Sequence, residues 1–111
     1  MTTVVSREIR EITKAESILY TADFTDALQS GETLSSVVSL SEVTSRGITL
    51  GSGAINGGSI TVDSTTIATG KAVQFRVSCA SASIGEAAVR VKVTTSASNT
   101  RSLDCRFEVI T

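Results

Sequence analysis

The chain has 111 residues, a net charge of −1, and neither histidine nor proline. That length makes one domain, which buries roughly 60–70% of its extended-chain surface around a single core. The charge balance leaves no basic surplus to neutralise phosphates, which speaks against a nucleic-acid partner, and without histidine the usual general base, the Ser-His and Cys-His pairs and the commonest zinc ligand are missing.

Hydrophobic residues make up 41% of the chain but aromatics only 4%. The core must therefore be built mostly from Val, Ile, Leu and Ala. Roughly three residues in ten are Ser or Thr, which suits exposed strand faces and polar turns better than a helical bundle.

Residues 1–15 read as an N-terminal arm, and 16–111 as the folded domain. In the arm, Val5, Ile9 and Ile12 fit either a short amphipathic turn or an extended edge strand. Arg7, Glu8, Arg10 and Glu11 break up any apolar run, so the segment is not a signal peptide. No run reaches the length of a membrane span. The expectation is a protein made and used without secretion and without a membrane partner.

Ile18, Tyr20, Ala22 and Phe24 alternate with polar neighbours and predict the first strand of the domain. Thr25 to Gly31 reads as a turn, capped by Asp26 and stopped by Gly31. Leu34, Val38 and Leu40 predict a second strand, with Val37 and Val43 on its other face. Gly47 to Val62 reads as a hairpin: Ile48 and Leu50 lead in, Asn56-Gly57-Gly58 turns, and Ile60 and Val62 lead out, because Asn-Gly tolerates the positive φ of a tight turn. Thr69-Gly70-Lys71 turns into a strand over 72–79, Ser81 to Gly85 turns again into 86–95, and Ser96 to Thr100 closes a last hairpin into 101–110. In these final strands Val73, Phe75, Val77 and Cys79, then Val89, Val91 and Val93, then Leu103, Cys105, Phe107 and Val109 hold the apolar phase. About seven strands with regularly spaced turns predict an all-β, immunoglobulin-like antiparallel sandwich. Its proline-free edges are open to pairing by another chain.

Candidate chemistry is sparse. Asp23 and Asp26 could be a carboxylate pair, but acid–base work needs two carboxylates converging on one cleft, and no calcium-loop pattern surrounds them. They read as a strand end and a turn cap. Gly51-Ser52-Gly53 and Gly57-Gly58 lack the G-K-[ST] and following helix of a phosphate loop. Arg76, Arg90, Lys92, Arg101 and Arg106 could form a basic stripe, but read better as a wet face balanced by Glu86, Asp104 and Glu108. Tyr20 could anchor an interface, though its phase with Phe24 places it in the core. Cys79 and Cys105 read as buried free thiols rather than a disulfide, and two cysteines alone cannot make a four-thiolate metal site. No catalytic, cofactor-binding or metal residue is assigned, and no cofactor is expected.

One block is more specific. The run Ile18-Leu-Tyr-Thr-Ala-Asp-Phe-Thr-Asp-Ala-Leu28, followed by Gly31-Glu32-Thr33-Leu34, resembles the opening of a family of small virion structural proteins of tailed bacteriophages. That family reads L-x-Y-x-x-D-W, a short turn ending in L, then G-[DE]-T-I. Ile18, Tyr20, Asp23 and Phe24 stand at the Leu, Tyr, Asp and Trp positions. The strand–turn–strand layout of 78–109 also fits, whereas 41–70 matches only in length and style. The resemblance implies an immunoglobulin-like fold, no enzymatic activity and a place in the virion, assembled in the host cytoplasm. It implies a head decoration or cement protein bound to the major capsid protein in many copies, or alternatively a neck/tail or fibre–tail adaptor. A carbohydrate- or surface-binding module is the alternative from another class, disfavoured by the few aromatics able to stack on sugars.

Overall fold

In a computed structural model the protein is an all-β sandwich. The structure describes residues 3–111, with side chains from Ile9 onward. In chain order the strands are β1 (Thr3–Thr13), β2 (Ser17–Asp23), β3 (Leu34–Glu42), β4 (Thr49–Leu50), β5 (Ala54–Ile55), β6 (Ile60–Val62), β7 (Thr65–Ile67), β8 (Ala72–Ser78), β9 (Gly85–Thr95) and β10 (Thr100–Ile110). One sheet runs β1-β10-β9-β3. The other runs β2-β8-β4, with β5 also on β8, and β6 and β7 form a separate hairpin. With β4 and β5 counted as one interrupted strand, seven strands make the sandwich, and the β6–β7 hairpin stands outside its two sheets.

The inward phases predicted for the last three strands are the core. Val73, Val77, Cys79, Val89, Val91, Val93, Cys105, Phe107 and Val109 are fully buried, with Phe75 nearly so. Tyr20 joins the two sheets: its ring centroid lies 5.6 Å from Phe75 on its own sheet and 4.8 Å from Phe107 on the other. Both cysteines are buried and free. Cys105 lies on β10 and Cys79 just beyond β8, so they belong to opposite sheets. Burial pushes the Cys105 thiol up to about 12 and raises that of Cys79.

The structure decides between the two readings of the N-terminal segment and corrects three further expectations. Of the segment read as an arm, Thr3–Thr13 form an edge strand, one of the two forms its pattern left open, and residues 14–15 turn into β2. β1 runs parallel to β10, pairing Glu11 with Glu108 and Ile12 with Val109, and Ile12 is fully buried in the core. Three spaced apolar residues are too weak a pattern to choose between strand and turn, but β10 supplies the partner that decides it. Residues 1–2 of the expected arm lie outside the described residues.

On β3 the faces differ from the simple alternation. Leu34, Val37 and Leu40 pack on the core while Val38 and Val43 are exposed. Register shifts between Leu34 and Ser36, and again between Val37 and Ser39, stretch the inward spacing from two residues to three.

The 47–62 hairpin does not form. β4 and β5 both pair with β8, and the tight hairpin is β6–β7, turning at Asp63–Ser64 with φ of 48° and 66°. Two positive-φ residues make the type I′ turn that suits strand twist, here without glycine. Gly53 serves a different purpose: a Cβ there would lie 3.0 Å from Leu40 and 3.1 Å from Val73, a close approach to the core that either side chain would have to yield to.

Finally, Asp26 caps nothing. The short 3₁₀ turn Thr25–Ala27 starts after Phe24 without a side-chain cap. Asp23 does the tethering instead, accepting from the Thr25 amide at 2.9 Å and its hydroxyl at 2.6 Å.

Candidate functional site

The 18–34 block is the part of the chain with the most specific pattern, and its residues build structure. Phe24 is fully buried. Gly31 has the positive φ of 77° expected of a stop. Glu32, only 4% exposed, reaches the β9–β10 turn, where its carboxylate accepts from the Thr95 hydroxyl and from Asn99 Nδ2 at 2.9 Å, and also from the Gln29 amide at 2.9 Å. Thr33 and Ser96 exchange two bonds: the Thr33 amide donates to the Ser96 hydroxyl at 3.0 Å, and the Ser96 amide to the Thr33 carbonyl at 2.7 Å. Leu34 enters the core. Gly-Glu-Thr-Leu is therefore a clasp between the start of β3 and the turn that joins the last two strands.

The Thr95 hydroxyl, the Gln29 amide and the Asn99 amide group hold the Glu32 carboxyl down from the ordinary 4.5 to about 2. A folded-state value below the unfolded one favours folding wherever the carboxylate is ionised in both states. The contribution is complete above about pH 4.5 and is lost as the pH falls toward 2. Unfolding midpoints in urea should therefore decline across that window, and Glu32→Gln should flatten part of the decline. An unchanged slope in the variant would show that Glu32 is not the titrating group. Glu16 and Glu42, whose carboxyls are also held below the ordinary range, contribute with the same sign.

A second carboxylate organises the β3–β4 loop. Glu42 accepts from the amides of Arg46 (2.6 Å), Gly47 (2.9 Å) and Ile48 (3.0 Å) and from the Thr44 hydroxyl. Burial alone would raise its carboxyl; those four donors outweigh it and hold the group low. Arg46 in turn donates to the carbonyls of Ile84 and Glu86, each at 2.9 Å, locking the loop to the start of β9. Neither Glu42 nor Arg46 stands out in the sequence, since a carboxylate followed by a polar loop is too common a pattern to signal a clasp.

The structure splits the five basic residues. Arg76 lies on β8 and the other four on β9 and β10, in different sheets. Arg90 is bound in two-point fashion by Asp104, at 2.8 and 3.0 Å. Arg101 sits opposite Val93 on the apolar phase, its Nε buried with no hydrogen-bond partner among the described residues. The balancing acids are not evenly interleaved either: Glu86 pairs with Glu108, which pairs with Glu11 on its other side. A continuous basic stripe is absent from the described residues, and one corner of the first sheet is acidic.

Two surfaces remain with unpartnered apolar character. A groove of about 430 Å³ lies between β1, β2 and the β6–β7 hairpin, and its wall includes Ile9, Leu19, Val62, Arg10, Asp63 and Gln74. Leu19 is 51% exposed and Ile9 38%. On the opposite edge of the first sheet, Val38 on β3 and Val43 just after it are also exposed. Tyr20 borders the groove but is half-buried, and its ring belongs to the core. Among the described residues no cluster of three or more His, Cys, Asp or Glu side chains is placed to hold a metal ion, and no helix is long and apolar enough to cross a membrane. No protein-family model, curated protein or solved structure matches the chain.

Proposed function

We propose that this chain is a non-enzymatic structural protein of a tailed-phage virion, binding other virion proteins and decorating or cementing the capsid. The observation that carries this reading is the 18–34 block, which resembles the opening of that phage family with Phe24 at its Trp position. The surface suits the role. Apolar side chains stand exposed at both edges of the first sheet, Ile9 on β1 and Val38 on β3, and no proline blocks either edge. Free edges and exposed apolar groups are what a neighbouring chain can cover.

An adaptor role at the neck, tail or fibre junction is the close second reading, and the groove favours it as a pocket for a single partner segment. A carbohydrate- or surface-binding module would use the same groove through Arg10, Asp63 and Gln74.

The test is to locate the protein in purified particles and count it. A copy number that scales with the major capsid protein is expected of decoration or cement. A single ring's worth at the neck or tail would favour the adaptor. Recovery only in the soluble lysate, with none in the particles, would refute a virion role.

A further inference from the structure

We propose that Asn56–Gly57 is a deamidation site that the fold holds shut, and that once deamidated the chain does not refold. Asparagine followed by glycine is the dipeptide most open to this reaction, because glycine places no Cβ near its own backbone nitrogen and moves freely. The Gly57 nitrogen gives up its proton and bonds to Asn56 Cγ. The Cγ–Nδ2 bond breaks, and ammonia leaves carrying a proton. Water then opens the five-membered succinimide at either carbonyl, leaving aspartate or iso-aspartate.

In the folded chain that geometry is blocked. Asn56 is 6% exposed, and every hydrogen-bonding position of its side chain is used. Nδ2 donates to the carbonyls of Gly58 (3.0 Å) and Ala68 (2.9 Å), and Oδ1 accepts from the amides of Lys71 (3.1 Å) and Ala72 (3.0 Å). Its backbone is tied as well: the amide donates to the Ala72 carbonyl at 3.2 Å, and the carbonyl accepts from the Gly70 amide at 3.0 Å. Turning the side chain to bring Cγ over the Gly57 nitrogen breaks its four bonds, and the two backbone bonds resist any accompanying movement of the chain. The unfolded chain has no such barrier, so unfolding is the gate.

The product cannot take the same place. Aspartate at position 56 would set a carboxylate oxygen where Nδ2 stands, against the carbonyl oxygens of Gly58 and Ala68 with no hydrogen between them. A buried polar group facing only acceptors is strongly disfavoured. Iso-aspartate would add a methylene to the backbone just after Ala54 and Ile55, which pair with Gln74 and Val73.

The experiment ages the whole protein at mildly alkaline pH, folded in buffer and unfolded in urea, and follows position 56 by peptide mapping. Conversion should be faster in urea on the order of tenfold or more. Asn99, which precedes β-branched Thr100, serves as the slow internal reference. Equal rates at Asn56 in the two states would overturn the gate. Gly57→Ala tests the chemistry without endangering the fold, since a Cβ there meets nothing within 4 Å and the residue does not have a positive φ. It should slow conversion in urea on the order of tenfold, and conversion as fast as in the natural chain would rule out attack by the Gly57 nitrogen. For refolding, the urea-aged mixture is returned to buffer and the folded fraction isolated by size. That fraction should carry almost only Asn56, with the modified chains left in the misfolded remainder. Modified and unmodified chains refolding in equal proportion would overturn the second half of the proposal.

Discussion

Phe107→Ala is expected to destabilise the domain by about 3–5 kcal/mol, the usual cost of emptying a fully buried phenylalanine site. Phe107 is fully buried on β10, and its ring meets Tyr20 of β2 across the sandwich. Tyr20 in turn meets Phe75 of β8. The chain has only three Phe, one Tyr and no Trp, so these rings supply much of the bulk that spans the two sheets. Six of the buried core residues are valines, which are stiff at χ1 and cannot swing in to fill a void. A domain of this size has about 5–15 kcal/mol in total, so the loss is a large fraction of its stability. Urea unfolding at constant m-value measures the loss. Phe107→Leu, which keeps most of the volume, should cost about 1–2 kcal/mol. A loss below about 1 kcal/mol for the alanine variant would mean that the aromatic bridge does not join the sheets.

Glu42→Ala is expected to cost about 2–3 kcal/mol, because the bonds it removes are charge-assisted and three of them come from backbone amides with no alternative partner in the loop. The figure stays below that for a fully buried network because Glu42 is only half-buried and water can reach part of the loop. Glu42→Gln is the informative companion. It keeps the size of the side chain but turns one oxygen into a donor facing donors, so it should cost nearly as much as alanine. Hydrogen exchange reads the mechanism directly: the amides of Arg46, Gly47 and Ile48 should lose protection while those of β10 keep theirs. The effect should extend to the start of β9, since Arg46 holds the carbonyls of Ile84 and Glu86 from the same loop. If glutamine restores full stability, shape rather than charge organises the loop.

Much of the sandwich was legible because its signal is local. The alternation at 73–79, 89–93 and 103–109 fixes a face for each side chain without reference to any other strand, and the turns at 69–71, 81–85 and 96–100 follow from residue chemistry near each end. The errors fall where a pattern depends on a partner. β3 reads as a plain alternating strand, yet two bulges against β9 move Val37 inward and Val38 outward. Asn56-Gly57-Gly58 has the chemistry of a hairpin turn, but β8 competes for β4 and β5 and takes both. Asn56 becomes a buried staple, and the hairpin moves to Asp63–Ser64.

The candidate surfaces show the same division. Glu32 belongs to a recognisable block, but only the fold reveals that its target is the turn at Thr95 and Asn99, more than sixty residues away. The five basic residues suggest a stripe only until two sheets separate Arg76 from the rest and Asp104 claims Arg90. The groove has no signature at all along the chain, because Ile9, Leu19 and Val62 come from three strands.

The sequence by itself therefore determined an all-β sandwich with an aliphatic core and two thiols on its inward phase. Period-2 burial and turn chemistry act within a few residues and need no partner to be read. Tertiary structure alone decided that the first strand completes the sheet beside the last, that two carboxylates clasp distant turns, and which apolar residues stay uncovered. Those outcomes rest on competition among strands for edges and on hydrogen bonds between remote segments, and neither leaves a mark on the local pattern.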